Sequence, residues 1–300
     1  MSQNPSNQHS QFPYQRPLHS FQNPSQFQNH PQTYQNYSQT YQNHSQTYQN
    51  NSPTYQNPPF QTYQNQSQNY QNPPSQNPSN QNKSMKDLLN ELVKLNYLTS
   101  QKVYNSMLKV DRADFSPTSP YINLPQKINY NVVISAPVLH AYCLQKLENH
   151  LKEGKKVLDI GFGSGYLTVA MSKMMNDKGL VLGIEHIKDL YYFGMRNISK
   201  NHKYLLDKGI INLYCCDGRL GLKDEMPFYC IHVGAASEYI PQILLDQLDF
   251  GGRMVIPIGK DGDVQFIYIV DKDLNGKVSY TKELEVRYVP LTSVEKQLGK

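Results

Sequence analysis

The chain has 300 residues, with 29 Lys and Arg against 24 Asp and Glu, for a formal net charge of +5. This modest excess is not gathered into a basic block interleaved with aromatic residues, which argues against a specific nucleic-acid partner. No apolar run approaches the roughly 20 residues that span a bilayer, and the first residues lack the basic and apolar regions of a signal peptide, so neither a membrane protein nor a secreted one is expected.

The first 84 residues form a tail of mainly Gln, Asn, Ser, Pro and Tyr, with Arg16 as the only charge before Lys83. Tyrosines recur nearly every seven residues, but each repeat lacks a second apolar position and prolines interrupt the pattern, which argues against a coiled coil. Burying so little apolar surface does not offset about 1–2 kcal/mol of backbone entropy per residue. We therefore predict a disordered tail over 1–84, either inert or able to self-associate, and one folded domain over 85–300.

The folded part begins with helical patterns. Apolar spacing predicts a helix over 86–95, and Ser100 is placed to cap a second helix over 101–109. The stretch 111–131 is rich in Pro, Ser and Asn and is expected to be an ordered loop. A proline in the first turn then starts a helix over 137–151.

Strands and helices alternate over the rest of the chain. This order predicts an α/β fold, a doubly wound and mostly parallel Rossmann-like sheet with helices on both faces. Ligands of such sheets bind at the carboxyl ends of the strands. The predicted strands are 156–160, 180–185, 211–216, 228–233, 253–258, 264–270 and 284–290, and the intervening helices are 166–175, 190–206 and 241–248.

A glycine-rich turn follows the first of these strands. Gly161, Gly163 and Gly165 alternate with other residues, and Asp159 precedes them. Glycines permit positive φ angles and let a ligand approach bare backbone. The spacing G-x-G-x-G differs from the dinucleotide pattern G-x-G-x-x-G, and a carboxylate faces an ammonium or sulfonium better than a pyrophosphate. The loop therefore favours S-adenosylmethionine (SAM) over NAD.

Polar or small residues end three further strands. Glu185 is placed to accept hydrogen bonds from both ribose hydroxyls, and Asp217, followed by Gly218, is placed to accept from an adenine amino group. Residues 234–236 are small enough to line a narrow pocket. Each of these has an alternative interpretation as an ordinary turn residue, but their order at successive strand ends favours a nucleoside site.

The chain contains four cysteines: Cys143, Cys215, Cys216 and Cys230. They show no C-x-x-C spacing and no partnering His pattern, so we expect reduced thiols, no metal site and a cytoplasmic protein.

Residues 86–300 resemble the protein-L-isoaspartate O-methyltransferase family. The Ile-Ser-Ala-Pro element ahead of the glycine loop separates this family from other methyltransferases. The motifs that carry the resemblance are Val110-Asp111-Arg112, Pro120-Tyr121, Pro125-Gln126, Ile134-Ser135-Ala136-Pro137, His140-Ala141, Asp159-Ile160-Gly161, Gly183-Ile184-Glu185-His186-Ile187, Asp217-Gly218-Arg219, Ile231-His232-Val233-Gly234-Ala235-Ala236, Asp246-Gln247-Leu248, Val289-Pro290-Leu291-Thr292 and Glu295-Lys296-Gln297.

The resemblance implies that the chain transfers a methyl group from SAM to the α-carboxylate of L-isoaspartyl residues in damaged proteins and peptides, as a monomer and without a metal. It makes Ser135 the active-site serine, beside Val132, Val133 and Ile134 at the junction of cofactor and substrate. The loop around the methionine part of SAM would comprise Asp159, Gly161 and Gly163. The other implied cofactor contacts are His140, Glu185, His186, Asp217, Gly218, Thr292 and Gln297.

Some assignments have alternatives that the sequence leaves open. Ser135 is expected to orient the substrate carboxylate without acting as a nucleophile, but it is also placed to cap the helix that begins at Pro137. His140 is either a cofactor contact or a buried histidine with its own partners. Phe162 stands where a small residue is common in the family and is expected to narrow the methionine end. A methyltransferase for a small molecule or RNA, or an idle SAM-binding scaffold, remains the alternative function.

Overall fold

The computed structural model describes residues 84–299. The predicted tail, with its repeated tyrosines, lies outside the described residues apart from Ser84, so its disorder and the domain boundary at 84 stay predictions. Within 84–299, no helix is long and apolar enough to cross a membrane.

Two capped helices open the described part, as predicted. Helix α1 (Met85–Lys94) follows Ser84, whose hydroxyl accepts from the Asp87 N–H while the Asp87 carboxylate accepts from the Ser84 N–H, a reciprocal capping box. Helix α2 (Gln101–Leu108) is capped by the Ser100 hydroxyl. Both helices bury most of their apolar residues in the core, while Val93 and Leu108 are exposed.

The stretch from 111 to 131 is more ordered than a loop, which corrects the prediction. A short 3₁₀ turn covers Arg112–Asp114, and strand β1 (Gln126–Asn129) pairs antiparallel with strand β2 (Val132–Ile134). Strands of four and three residues are too short to show an alternating pattern, so the sequence signal was lost among the turn-forming residues.

The main sheet has seven strands. Their bounds are β3 (Lys156–Ile160), β4 (Leu180–Ile184), β5 (Ile211–Tyr214), β6 (Phe228–Val233), β7 (Leu248–Ile258), β8 (Gln265–Lys272) and β9 (Val278–Val286). The spatial order is β5-β4-β3-β6-β7-β8-β9; β3 to β7 run parallel, and β8 and β9 add an antiparallel edge. The order reverses between β3 and β6, which makes this the expected place for a ligand.

Helices cover both faces of this sheet, as predicted. Neighbouring residues of the central strand enter different apolar clusters, Val157 on one face and Leu158 on the other. The helices are α3 (Pro137–Leu147), α4 (Tyr166–Met174), α5 (Lys188–Asn201), α6 (Lys203–Asp207), α7 (Gln242–Gln247) and α8 (Val294–Leu298).

The larger differences from the predicted bounds lie in four elements. Helix α3 ends at Leu147 and not at 151, and the helix predicted over 190–206 is divided at His202 into α5 and α6. Strand β7 begins at 248 and not at 253. Strand β9 ends at 286, before most of the predicted 284–290, and nearly all of its residues are exposed, so it lacks the hydrophobic alternation by which strands are recognised.

Candidate active site

The glycine loop joins β3 to α4 through three residues with left-handed backbone. Gly161, Gly163 and Gly165 have φ of 75°, 50° and 85°, a region that side chains rarely tolerate. The N–H groups of Gly161 and Phe162 both donate to the Ile184 carbonyl, at 2.8 and 3.1 Å, which fixes the start of the loop to the end of β4.

The ends of β3 and β6 approach each other closely without side chains between them. The Gly234 N–H donates to the Ile160 carbonyl at 2.7 Å, and a Cβ added at Gly234 would lie 2.9 Å from the Gly161 carbonyl oxygen. Such a contact is too short for a real side chain. Bare backbone therefore borders the site on two strands. Of residues 234–236, which the sequence placed at a narrow pocket, Gly234 lines the cavity and Ala235 and Ala236 do not.

A cavity at this point is lined by both the glycine loop and Ser135. The predicted site residues that line it are Val132, Val133, Ile134, Ser135, His140, Asp159, Gly161 and Gly163. The remaining lining residues are Phe162, Ser164, Leu167, His232, Gly234, Arg287, Tyr288 and Val289. Six predicted cofactor residues lie outside this cavity: Glu185, His186, Asp217, Gly218, Thr292 and Gln297.

The carboxylate of Asp159 is buried, with 1% exposed surface, and both of its oxygens have partners. Oδ1 accepts from His232 Nδ1 at 2.8 Å, and Oδ2 accepts from the Thr168 hydroxyl at 2.6 Å. Asp159 and His232 are paired positions of β3 and β6. The role of Asp159 toward the cofactor ammonium stays a prediction, and in this structure its charge is balanced by the imidazole.

A chain of side chains links this pair to the serine. Burial by itself lowers the pKa of His232, but hydrogen bonds to Asp159 and Cys143 outweigh it and raise that pKa to about 10, so the imidazole is charged at neutral pH. Tyr288 contacts both Cys143 and Ser135 by hydrogen bonds, and burial raises the pKa of its hydroxyl well above the usual value. The Ser135 hydroxyl therefore has a neutral tyrosine as its neighbour.

The backbone of Ser135 is held from the other side by a buried arginine. Arg112 has no exposed surface, and its Nη2 donates to the Ser135 carbonyl at 2.7 Å. Its Nη1 lies 3.3 Å from Nδ1 of His140. Burial, and then the charge of Arg112, hold the pKa of His140 well below its usual value, so this imidazole is neutral and accepts the bond.

These contacts bear on the two alternatives left open by the sequence. The alternative that Ser135 caps α3 is wrong, because the residue before the helix is Ala136 and no side chain caps it. The alternative that His140 is a buried histidine with its own partners has support. His140 has Arg112 as a partner and stacks on the Tyr166 ring with centroids 4.9 Å apart. His140 nevertheless lines the cavity, and its contact with the cofactor stays a prediction.

Phe162 packs away from β3 against two glycines. A Cβ added at Gly183 or Gly194 would lie 3.0 or 2.6 Å from its ring, so these residues make room for the phenyl group. The ring also lies 6.1 Å from that of Tyr191, centroid to centroid. Phe162 thus joins β4 and α5 to the glycine loop, while still lining the cavity.

Beyond the cavity, the end of β4 connects the glycine loop to the C-terminal helix. Glu185 is buried, and its carboxylate accepts from the N–H groups of Gly163 at 3.2 Å and Ile187 at 3.0 Å. Burial raises the pKa of this carboxyl group. His186 Nε2 lies 2.7 Å from Gln297 Oε1, so two predicted residues that are 111 positions apart meet here.

The end of β5 supplies the next predicted pair. Asp217 accepts from the Arg219 N–H at 2.9 Å and forms an ion pair with its guanidinium at 2.5 Å. Gly218 is packed so closely that a Cβ there would lie 2.5 Å from Cγ2 of Ile160. Thr292 is buried. It lies two residues after Pro290, which pairs with Ala236 in an isolated bridge.

Among residues 84–299, no group of three or more His, Cys, Asp or Glu side chains is arranged to hold a metal ion. The four cysteines are free thiols; Cys143 and Cys230 are buried, Cys216 is partly buried and Cys215 is exposed.

The fold and this site define a class of protein. A Rossmann-like sheet with a G-x-G-x-G loop after its first parallel strand, acids after the next two strands and no pyrophosphate fingerprint is that of a SAM-dependent methyltransferase. The comparisons narrow the class: the family model for Protein-L-isoaspartate(D-aspartate) O-methyltransferase matches residues 82–296. The chain belongs to this family.

Individual relatives agree with the family model. The chain is 46% identical over 212 residues to the protein-L-isoaspartate O-methyltransferase of Caenorhabditis elegans, a match that covers 70% of this chain and 93% of that protein. It is 44% identical over 216 residues to protein-L-isoaspartate O-methyltransferase 1 of Arabidopsis thaliana, covering 71% and 93%. A solved structure from Plasmodium falciparum, named a beta-aspartate methyltransferase and in complex with S-adenosyl-L-homocysteine, is 35% identical with a TM-score of 0.66, covering 70% of this chain and 99% of that one.

Proposed function

We propose that this cavity transfers the methyl group of SAM to the α-carboxylate of L-isoaspartyl residues in damaged proteins, the first step of their repair. The observation that carries the proposal is the meeting of the glycine loop and the Ser135 segment in one cavity. The loop supplies the cofactor side and the serine supplies the acceptor side. The methyl ester formed would then cyclise spontaneously to a succinimide, which partly reopens to normal aspartate.

The residues present fit SAM, which supplies an electrophilic sulfonium methyl group when bound. Gly161 has a positive φ, and a Cβ at Gly234 would lie 2.9 Å from the Gly161 carbonyl oxygen, so bare backbone borders the cavity here. We assign Glu185 to the ribose hydroxyls and Asp217 to the adenine amino group, because both are carboxylates at successive strand ends. His186, Gly218, Thr292 and Gln297 complete the proposed nucleoside side.

Ser135 is proposed to hold the acceptor carboxylate in line with the methyl group. A carboxylate is already ionised at neutral pH, so the reaction needs no general base. Alignment of two reactants contributes roughly 7–11 kcal/mol when their geometry is well fixed. Arg112 fixes the Ser135 backbone and Tyr288 fixes its hydroxyl, which supports a positioning role.

Methyl transfer to paired peptides tests the function. The two peptides share one sequence and differ only in an isoaspartyl or a normal aspartyl linkage at one position. We expect base-labile methyl ester on the isoaspartyl peptide alone. Equal labelling of both peptides, or a product stable to mild base, would instead favour a methyltransferase for another acceptor.

We further propose that the protein acts as a monomer in the cytoplasm. The four free thiols are typical of a reducing compartment.

A further inference from the structure

One positive charge at the cavity mouth has no partner. Arg287 directly follows β9, is exposed, and lines the cavity beside Ser135 and Tyr288. Among residues 84–299 it forms no ion pair or hydrogen bond. The other charged residues in the lining, Asp159 and His232, neutralise each other at 2.8 Å.

A second cation stands on the hairpin that forms another wall. Lys127 of β1 is the paired position of Val133 in β2, and both residues are exposed on the same face. Paired positions of antiparallel strands lie about 4.5–5.5 Å apart at Cβ. Val133 lines the cavity, so Lys127 flanks the mouth, and it too has no ion pair within the described part of the chain.

The acids of the neighbouring segments are placed differently from these cations. Glu283 of β9 pairs with Lys146, Asp189 accepts a hydrogen bond from Tyr130 at the hairpin tip, and Glu185 is buried beneath the loop. Glu285 is exposed two positions before Arg287. None of these carboxylates pairs with Arg287, so its guanidinium is free to bind an acidic group of a substrate.

From this charge distribution we propose that Arg287, with Lys127, selects isoaspartyl segments that carry a Glu or Asp beside the damaged residue. The inference rests on the proposed function. A guanidinium binds a carboxylate through two parallel hydrogen bonds, so it favours an acidic flank and repels a basic one. Arg287 lies at the exposed rim and not beside the reacting atoms, so it acts on the flanking side chain while Ser135 takes the acceptor carboxylate.

Three isoaspartyl peptides test this proposal. They differ only in having Glu, Gln or Lys on both sides of the isoaspartyl residue. At low salt we expect kcat/KM to fall in the order Glu, Gln, Lys by about tenfold overall, mainly through KM, and the difference to shrink at high salt. Arg287→Glu should reverse the order. The control is Arg196→Glu, an exposed arginine of α5 outside the cavity lining, which should keep it.

The outcomes separate this proposal from the function on which it rests. An unchanged order in Arg287→Glu, with far-UV circular dichroism like the parent's, would refute the selectivity. So would an Arg287→Ala variant whose only defect is weaker SAM binding, because the arginine would then serve the cofactor. Absence of methyl transfer to all three peptides by the parent protein would overturn the function itself.

Discussion

At the scale of single residues, the serine is the best-supported side chain for catalysis. Its carbonyl accepts from Arg112 and its hydroxyl bonds to Tyr288. Ser135→Ala should lower kcat on an isoaspartyl peptide by roughly 10- to 100-fold, because loss of orientation misplaces the acceptor. Steady-state kinetics with labelled SAM measures this.

Two comparisons make the serine prediction specific. Binding of S-adenosyl-L-homocysteine by calorimetry should be unchanged in Ser135→Ala, and Tyr288→Phe should reduce kcat less, since the serine remains. Turnover of Ser135→Ala within about twofold of the parent would contradict the orienting role.

The buried pair of His232 and Asp159 makes stability depend on pH. The folded-state pKa of His232, about 10, lies above the ordinary value of 6.5. Its stabilising contribution is therefore fully present below pH 6.5 and is lost as pH rises through 10. His232→Asn should lower the free energy of unfolding by about 3–5 kcal/mol at pH 6.5, because a buried carboxylate loses its partner, and by less at pH 10.

Urea unfolding at both pH values measures this change. His150→Asn is the matched control, since burial lowers the pKa of His150, the opposite direction to that of His232. A loss in His232→Asn that is the same at pH 6.5 and 10 would show that the histidine is not charged in the folded protein.

The sequence identifies the acids at the strand ends, but it does not reveal the partners that position the reacting groups. Glu185 and Asp217 were found because Glu185 ends one predicted strand and Asp217 directly follows another. The pairing of His232 with Asp159 spans 73 positions and depends on β6 lying next to β3, an order that alternation alone does not fix. Arg112 stood in a quoted motif, but nothing in the sequence indicated its burial.

At the scale of elements, the sequence predicts buried strands better than it predicts short strands or exposed edge strands. The five parallel strands were predicted because each is a run of buried apolar residues between turns. The β1–β2 hairpin was not predicted because its strands are short. The predicted strand 284–290 covers only the end of β9, because most of β9 is an exposed edge. The hairpin matters for function, since three of its residues line the cavity.

Helix α5 is predicted to set the position of the glycine loop through one residue. A Cβ at Gly194 would lie 2.7 Å from the Gly163 carbonyl oxygen and 2.6 Å from the Phe162 ring. Gly194→Ala should therefore weaken S-adenosyl-L-homocysteine binding about tenfold or more, even though alanine favours a helix by about 1 kcal/mol. Isothermal titration calorimetry measures the affinity.

The control for this helix is Ser199→Ala, whose hydroxyl donates to the Met195 carbonyl of the same helix. It should leave the affinity unchanged. Full binding by Gly194→Ala would mean that the loop can shift without cost to the cofactor site.

At the scale of the whole molecule, the protein is expected to become its own substrate with age. We expect spontaneous isoaspartate formation at Asn275-Gly276, in the turn between β8 and β9, and at the pairs Asn29-His30, Asn43-His44 and Asn51-Ser52. The three pairs lie outside the described residues. Incubation of aged protein with fresh enzyme and labelled SAM should give more label than fresh protein alone.

The structure of this turn predicts how much of the methyl label Asn275 contributes. The Gly276 N–H donates to the Asp273 carbonyl at 3.1 Å, and this nitrogen must attack the Asn275 side chain for the isomer to form. The hydrogen bond should slow that attack, so Asn275→Gln should remove only a minor part of the label. Equal labelling of aged and fresh protein would contradict self-repair.

Two residues of the site contact partners that are synthesised near the end of the chain: His186 contacts Gln297, and Ser135 contacts Tyr288. The ribosome completes the glycine loop long before it adds these C-terminal partners, by roughly 10 s at ordinary elongation rates. On the proposed placement of SAM, a nascent chain has the glycine loop before it has the C-terminal residues of the site. We therefore expect SAM to bind only when synthesis is nearly complete, and to have no part in the folding of the earlier strands.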